Sequence, residues 1–432
     1  LGVKLKFRHL LIAVLPVAIG ASLPAHPNEI ASSSYASFTW PEVLKLKAAR
    51  DYFTLRERVK SSTDTSSAPA MFARILVNHA FNHPAASNAG IESLISTTKL
   101  PDSVVSDLRR MEADNHRRLF QYSAGLASLE TLLSNNTGLD STELDDVRNA
   151  EKILRALSGI APQTVQFSGP TTVHFDHGNI PVLVNDSARS FGFDTGANIS
   201  VIMRSEAVAT GVRILPAGID VATSTDKRVT ADLGVADRIT IGNVHFRNVV
   251  FLVFDDSLLT FPGGFRIPGL VGFPMIEQMG EIELDKGGVL KIPVTPSFRK
   301  PNNLALENLT PLTQMRWKGS KLLCRLDTGA GHTQMYEHFY SRFRTAIDAS
   351  STNATRHVGG AGGIRETPVR VLKNPTFMVG DTSIVMDSVD VLPKSIVSDP
   401  ADNYLDCNIG HDILDSFSGF ILNFRDMAFL LR

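Results

Sequence analysis

The sequence predicts a multidomain α and β protein, with an all-α helical domain at the amino terminus followed by an all-β part of two tandem halves. Two observations predict the β part: the tetrapeptide Asp-Thr-Gly-Ala occurs at residues 194–197 and again at 327–330, and similar apolar segments surround both copies. The third observation is that residues 39–158 carry apolar side chains at helical spacing. A chain of 432 residues exceeds what one core usually supports, so more than one domain is expected.

The helical domain, residues 39–158, contains clear helix start and stop signals. Thr39 precedes a capping pattern with Pro inside the first turn, Pro84 ends a second helix, Pro101 opens a long third one, and Asp140 caps the last. The first helix is expected to carry the apolar residues between positions 44 and 59. We therefore expect five or six helices. Their pairing is similar to a tetratricopeptide-like array, although the consensus of that repeat is absent, and such an array could bind a protein partner.

The β-rich region consists of two copies of one unit, which we place at residues 164–296 and 304–432. In each copy a short apolar run leads into Asp-Thr-Gly-Ala, as in a buried strand that ends in a tight turn. An apolar-Gly step follows each motif at nearly the same distance, ending at Gly272 and at Gly410. An alternating segment and a last apolar strand close both copies. The step is followed by Phe-Pro in the first copy and by His-Asp in the second, so the walls of a shared cleft should differ.

These motifs resemble the retropepsin-like aspartic peptidases, in the bilobal arrangement that pepsin-like enzymes also use. The resemblance covers roughly residues 164–432 and rests on the paired tetrapeptides, the paired apolar-Gly steps and a Gly-rich segment in the second half. It implies an aspartic-protease fold of two lobes. The residues it singles out are the catalytic pair Asp194 and Asp327, and Thr195, Gly196, Thr328 and Gly329, which support the active-site loops: the hydroxyls tie the loops together, and the glycines let backbone amides point at the carboxylates.

The Gly-rich segment looks like the flap of that family, a hairpin that closes over substrate. Its glycines are Gly359, Gly360, Gly362 and Gly363. Glycine at this density allows a mobile turn and a close approach of backbone to a peptide. The equivalent place in the first half, residues 222–227, lacks these glycines, so the first flap is expected to differ.

Two neighbouring carboxyl groups suit one type of chemistry. Aspartates that face one cleft a few ångströms apart cannot easily both ionise, so they share a proton. The ionised partner removes a proton from water and the protonated partner polarises the scissile carbonyl of a peptide or unfolded protein. This reaction requires no cofactor and no metal, and which aspartate is the base stays open. His79 and His83 lie one helical turn apart without an evident third ligand, so we expect no metal site there.

The two cysteines, Cys324 and Cys407, each stand three residues before a landmark, Asp327 and Gly410. The resemblance implies that the strands carrying them lie side by side. A disulfide is then one expectation, and two buried thiols acting as small apolar side chains is the other.

The amino terminus and the composition limit the location and the partners. Residues 1–25 have the pattern of a secretion signal, with Lys4, Lys6 and Arg8 before an apolar stretch that is too short for a stable membrane span. We expect a bacterial exported protein, periplasmic or secreted; an uncleaved anchor is the alternative. A net charge of −1 with 20% charged residues argues against nucleic-acid binding.

The sequence therefore predicts an aspartic-type endopeptidase, a hydrolase that acts outside the cytoplasm. The alternative is a catalytically weak or inactive peptide-binding protein that uses the same cleft, with the helical domain recruiting a partner. A third interpretation treats the helical domain as a pro-segment, against which its size and its own capped helices argue.

Overall fold

The computed structural model describes residues 37–135, 139–222, 228–300, 302–360, 363–394 and 404–432. The predicted secretion signal, residues 1–25, lies outside them. In the described part, the chain divides into two compact units, one ending at Pro162 and the other running from Gln163 to Arg432.

The first unit is helical, and its described residues form seven helices. They are α1 (Trp40–Ala48), α2 (Tyr52–Ser61), α3 (Ala68–Ala80), α4 (Pro84–Thr97), α5 (Asp102–Arg118), α6 (Tyr122–Ser134) and α7 (Ser141–Leu157). Two of the expected helix starts are capped as predicted. The Thr39 side chain accepts from the Glu42 amide at 3.4 Å, and Asp140 forms a full capping box with Glu143.

The expected number of five or six helices was wrong, because two boundaries were missed. The first apolar run is divided by Arg50, whose φ of 50° interrupts the helix, and Asp51 then caps α2 by accepting from the Thr54 amide. The second missed boundary is at Pro84, which starts a helix: α3 already ends at Ala80, and Pro84 occupies the first turn of α4, where its missing N–H has no partner to lose.

The helices enclose a core of their own. Val43, Leu55, Phe72, Ile75 and Leu108 are all buried in one apolar cluster that includes residues of α1 to α5. No helix in the described ranges combines the length and apolar character needed to cross a membrane.

The second unit is mostly β. The strands of its first half are β1 (Thr164–Phe167), β2 (Thr171–His174), β3 (Asn179–Val184), β4 (Ser187–Phe193), β5 (Ser200–Met203), β6 (Arg213–Ala222), β7 (Arg228–Ile241), β8 (Val244–Phe254), β9 (Gly269–Val271), β10 (Glu281–Asp285) and β11 (Val289–Ile292). Those of its second half are β12 (Leu304–Glu307), β13 (Thr310–Trp317), β14 (Ser320–Leu326), β15 (Gln334–Met335), β16 (Ser351–Gly360), β17 (Gly363–Lys373), β18 (Thr376–Val379), β19 (Thr382–Val385), β20 (Ser388–Val391), β21 (Cys407–Ile409), β22 (Gly419–Asn423) and β23 (Ala428–Leu431). Four short or medium helices accompany them: α8 (Arg204–Ala209), α9 (Phe273–Gln278), α10 (Glu337–Ser350) and α11 (His411–Leu414).

Each half contributes one large sheet, with strand order β1-β8-β5-β9-β4-β3-β7-β6 in the first and β16-β17-β20-β15-β21-β14-β13-β18-β19 in the second. In both sheets the strand that enters Asp-Thr-Gly lies parallel to the strand that ends in the apolar-Gly step, β4 beside β9 and β14 beside β21. In each sheet, the strand that enters Asp-Thr-Gly is joined to the preceding strand by a turn of two residues with positive φ. This turn is Asn185-Asp186 between β3 and β4, and Lys318-Gly319 between β13 and β14.

A third sheet takes strands from both halves, in the order β2-β11-β10-β22-β23. Its centre is the antiparallel pair β10–β22, where Glu281 lies opposite Asn423. The buried Glu281 carboxylate accepts from the Asn423 amide at 2.6 Å and pairs with Arg299 at 2.9 Å. The halves placed at 164–296 and 304–432 therefore share a sheet. The expected order of a helical region followed by a largely β region is confirmed.

Candidate functional site

The two Asp-Thr-Gly loops occupy equivalent places in the two large sheets. Asp194 follows β4 and donates its amide to the Val271 carbonyl at 3.0 Å; Asp327 follows β14 and donates to the Ile409 carbonyl at 3.0 Å. Each aspartate is therefore held at the end of a buried strand by the neighbouring parallel strand. Both side chains are buried, each residue being 2% exposed.

The two threonines join the loops reciprocally. The Thr195 hydroxyl donates to the Leu326 carbonyl and accepts from the Thr328 amide, both at 3.0 Å. The Thr328 hydroxyl donates to the Phe193 carbonyl and accepts from the Thr195 amide, also at 3.0 Å. Four buried hydrogen bonds thus hold the loop of one half directly against that of the other.

The two glycines of the motifs serve both loops. Gly196 donates its amide to the Asp194 carboxylate at 2.7 Å, and Gly329 donates to Asp327 at 2.9 Å. A β-carbon added at Gly196 would lie 2.7 Å from Cγ of Asp327, and one added at Gly329 would lie 2.5 Å from Cγ of Asp194. Each glycine therefore leaves the space that the aspartate of the other half occupies.

Gly272 and Gly410, which end the two apolar-Gly steps, pack against the backbone of the aspartate loops. A β-carbon at Gly272 would meet the Ala197 carbonyl oxygen at 2.8 Å, and one at Gly410 would meet backbone of His332 at 2.6 Å. Each of these glycines donates its amide to a buried hydroxyl, Ser200 in the first half at 3.0 Å and Thr333 in the second at 3.1 Å. The repeat seen in the sequence is thus a repeat of contacts around the two loops.

The two carboxyl groups are neighbours, because each packs against the glycine that follows the other aspartate. Burial raises the pKa of Asp194 well above its ordinary value, and the neighbouring charge of Asp327 raises it further; the Gly196 amide and Arg325 act in the opposite direction. The two carboxyl groups are therefore expected to share one proton, with one group protonated and the other ionised.

The second half surrounds its aspartate with more donors than the first. Oδ1 of Asp327 accepts from the Ala330 amide at 3.0 Å as well as from Gly329, and Oδ2 accepts from the Asn408 side chain at 3.0 Å. The Arg325 guanidinium lies 3.7 Å from Oδ2 and donates to Oδ1 of Asn408 at 2.9 Å. We assigned no role to Arg325 or Asn408 from the sequence; the available signal was one arginine inside the otherwise apolar run of residues 322–326.

A disulfide joins Cys324 and Cys407, whose Cα atoms are 4.6 Å apart. The two residues are partners in the β14–β21 register, directly before Arg325 and Asn408. Of the two states that the sequence left open, the structure contains the bridge. It links the strand that enters the second aspartate loop to the strand that supports it.

Hairpins occupy the expected flap positions of both halves. In the second half β16 and β17 pair from Ser351–Leu372 to Gly360–Gly363, and Gly362 lies outside the described residues. In the first half β6 and β7 pair up to Ala222 and Arg228, with residues 223–227 also outside the described part. A hairpin therefore approaches this position in the first half despite its lack of glycine.

A cavity of about 330 Å³ lies beside the second aspartate loop. It is lined by residues 330–334 of that loop, 356–359 of the flap hairpin, 388–390 of β20, and Asp412. Two ion pairs shape it: Arg356 with Asp390 at 2.7 Å, and His332 with Asp412 at 3.7 Å. Although burial acts against it, the pKa of Asp412 is lowered by His332 and by hydrogen bonds from Thr333, so its charge is retained.

His79 and His83 lie at the end of α3 and directly before α4. Nδ1 of His79 lies 2.7 Å from Oδ1 of Asn115 in the buried core, and His83 stands at the start of α4. Across the described ranges, no group of three or more His, Cys, Asp or Glu side chains is arranged to hold a metal ion.

Comparisons with known proteins concern the β-rich unit. Residues 180–275 match the family model described as aspartyl protease, a stretch that includes Asp194 and Gly272 but not Asp327. Among solved structures, the chain is similar to the crystal structure of a retropepsin-like aspartic protease from Rickettsia conorii, with 20% sequence identity, coverage of 31% of this chain and 94% of that chain, and a TM-score of 0.21. No curated protein matches the chain.

Proposed function

We propose that the chain is an aspartic-type endopeptidase that hydrolyses peptide bonds with a water molecule activated between Asp194 and Asp327. The observation that supports this most strongly is the reciprocal joining of the two loops, which brings two buried carboxyl groups side by side. The aspartyl protease family match over residues 180–275 agrees with it.

The proposed reaction uses one proton shared by the pair. The ionised carboxylate takes a proton from water while the water oxygen attacks the scissile carbonyl carbon, and the carboxylic acid donates its proton to the carbonyl oxygen. When the C–N bond of the resulting diol breaks, the newly protonated aspartate gives its proton to the leaving amine. The other aspartate recovers a proton from the diol, so the pair ends with the single proton it began with.

The other residues of the motifs prepare this arrangement. Thr195 and Thr328 fix the distance between the two loops, and Gly196 and Gly329 orient the carboxylates while leaving room for them. Because these groups are placed before substrate binds, little reorganisation is needed during reaction.

The substrate in this proposal is an extended peptide or an unfolded protein. In this proposal the two hairpins act as flaps that cover it, and the glycine-rich segment with Gly359, Gly360, Gly362 and Gly363 serves as the second flap. The cavity beside the second loop, lined by His332 and Arg356 among others, would receive one of its side chains. The differing walls of the two halves suit an asymmetric ligand such as a peptide.

We further propose that the protein acts outside the cytoplasm. The Cys324–Cys407 disulfide supports this, since such bonds persist mainly in oxidising compartments. The secretion-signal pattern of residues 1–25 points the same way. The helical unit, which has its own core, is proposed to bind a protein partner or the natural target.

The experiment incubates the full chain with a pool of unstructured peptides and identifies new termini by mass spectrometry. The wild type should cleave and be inhibited by a statine-type transition-state mimic. Asp194→Asn and Asp327→Asn should each lose at least about 1,000-fold in rate, whereas Asp381→Asn, an exposed aspartate on a distant turn, should not. Peptide binding by the wild type without any cleavage would favour the peptide-binding alternative, and undiminished cleavage by both active-site variants would refute the mechanism.

A further inference from the structure

The two halves differ most at the positions directly behind their aspartates. In the first half, Gly192 of β4 pairs with Leu270 of β9. In the second half, the equivalent register positions hold Arg325 of β14 and Asn408 of β21. The two positions are equivalent because both strand pairs are parallel and both end one residue before the aspartate. Where the first half has the apolar residues Gly192 and Leu270, the second half therefore has the cationic Arg325 and the polar Asn408.

The second pair is built into the core and directed at Asp327. Arg325 is 5% exposed and Asn408 is fully buried. Arg325 holds the side-chain oxygen of Asn408 at 2.9 Å, which orients the Asn408 NH₂ group to donate to Oδ2 of Asp327 at 3.0 Å. A second bond from Arg325 to the Tyr336 hydroxyl, at 2.9 Å, fixes the guanidinium. Asp327 therefore receives hydrogen bonds on both oxygens, three donors in all from Gly329, Ala330 and Asn408.

Among the described residues, Asp194 lacks an equivalent of this support. Its carboxyl group accepts from the Gly196 amide and faces Asp327, Arg325 acts on it only through its charge, and the positions behind it are Gly192 and Leu270. The space at Gly192 is filled by Leu270, whose Cδ2 would lie 2.5 Å from an added β-carbon. Burial there disfavours the charged form.

We propose that Arg325 and Asn408 are positioning residues that hold Asp327 as the ionised member of the pair and thereby make Asp194 the proton donor. This inference rests on the proposed function and assigns the two roles within it. Asp327 takes the proton from water while the water oxygen bonds to the carbonyl carbon, and Asp194 gives its proton to the carbonyl oxygen. Asp327 then protonates the leaving amine, and Asp194 regains its proton from the diol.

Other charged groups near Asp327 act in the same direction. His411, at the start of α11, lies against the second loop with Nε2 2.9 Å from the Thr328 carbonyl. Burial acts against its charge, but Asp415, Thr328 and Asp327 raise the pKa of His411. The equivalent residue of the first half is Phe273, which follows Gly272 as His411 follows Gly410. The groups facing Asp327 are thus Arg325 and His411 as cations, Tyr336 through Arg325, and Asp194.

A direct test does not depend on cleavage. The full chain, labelled with ¹³C at the aspartate side-chain carboxyl, is titrated by NMR with both resonances assigned through the backbone. Between the two titration steps, the Asp327 carbon should have the chemical shift of a carboxylate and the Asp194 carbon that of a carboxylic acid. The reverse assignment, or equal shifts for both, would overturn the inference. If the wild type cleaves no peptide, the proposed function fails, but this titration still decides the inference.

A kinetic test uses pH profiles of kcat/KM. The acidic limb of a profile is the pH range in which kcat/KM falls as the pH decreases. In Arg325→Met this limb should lie about one to three pH units higher than in the wild type, because an opposite charge nearby lowers a carboxyl pKa by this much. Asn408→Leu, which installs the residue of the first half, should move it by about one unit. Arg325→Lys should restore part of the shift, since it keeps the charge. Arg316→Met, an exposed arginine on the neighbouring strand β13, is the matched control and should leave the limb unchanged.

Circular dichroism establishes that each variant is folded before its profile is compared. An unchanged acidic limb in folded Arg325→Met and Asn408→Leu would assign these residues a structural role only and overturn the inference. If both variants fail to fold, the wild-type NMR titration remains the deciding measurement.

Discussion

Adding a single methyl group at Gly329 tests whether the two loops are packed as the structure has them. The β-carbon of Gly329→Ala would lie 2.5 Å from Cγ of Asp194 and 2.5 Å from its Oδ2. Ordinary van der Waals contact begins near 3.4 Å. The obstacle is a carboxylate held in a buried loop rather than the end of a flexible side chain, so one of the two loops must shift.

The size of the effect follows from that overlap. A shift of about 1 Å is needed to restore normal contact, and misplacement of this size reduces enzyme rates by about 100-fold. Overpacking a close-packed site also lowers the free energy of unfolding by about 1–3 kcal/mol. We therefore expect Gly329→Ala to lose at least about 100-fold in kcat/KM with only a moderate loss of stability.

The assay measures peptide cleavage and urea unfolding in parallel, with two controls. Gly192→Ala also creates a 2.5 Å contact, but with Cδ2 of Leu270, which can rotate away; Gly159→Ala has nothing within 4 Å. Both should keep kcat/KM within about threefold, as expected for well-tolerated packing changes. Wild-type activity in Gly329→Ala would refute the reasoning, because the space described between the loops would then not be needed.

Three further predictions concern stability and domain structure. Replacing Cys324 and Cys407 by Ala should lower the free energy of unfolding by up to about 4.5 kcal/mol by the chain-entropy relation for a separation of 83 residues; an unchanged urea midpoint would contradict this. Because the pKa of Asp194 is raised in the folded protein, stability falls as pH rises from the ordinary aspartate value of 3.8 towards the folded value. Asp194→Asn should therefore be more stable than wild type at pH 7 but not at about pH 3, and a less stable variant at pH 7 would oppose that sign. A chain of residues 163–432 should fold and cleave an unstructured peptide, since the helical unit has its own core; insoluble or inactive protein would show that the helices complete the β unit.

The local features of the site were accessible from the sequence because they depend on short motifs. The turn after Asp194 needs Gly196, and the same need recurs after Asp327, so the pattern repeats visibly. The placement of β14 beside β21 was also expected, since the resemblance implied that these strands lie side by side.

The helix boundaries illustrate a limit of local patterns. Arg50 adopts a left-handed conformation that arginine seldom prefers, and the local signal of the break is the next residue, Asp51, which caps α2. The apolar spacing continues across the break, so one long helix was the natural expectation. Val43 of α1 and Leu55 of α2 are buried in the same cluster on either side of the break, and periodicity alone does not show where one helix ends and the next begins.

Long-range pairing was the second limit. The third sheet joins β10 to β22, and its central pair, Glu281 and Asn423, comes from opposite halves of the β unit. Alternation of apolar and polar residues identifies each strand but not its neighbour. Arg325 shows a different limit. The expected neighbourhood of Cys324 and Cys407 also placed Arg325 beside Asn408, but the pattern does not show that the Asn408 side chain donates to Asp327.

The central claim is that Asp194 and Asp327 act as one unit on one water molecule. The most direct measurement compares kcat/KM for Asp194→Asn, Asp327→Asn and the double variant with that of the wild type. Residues that act as a unit are strongly non-additive, so each single variant should lose nearly as much activity as the double variant. Single losses that multiply to give the loss of the double variant would contradict the account, because they would mean that the two aspartates act independently.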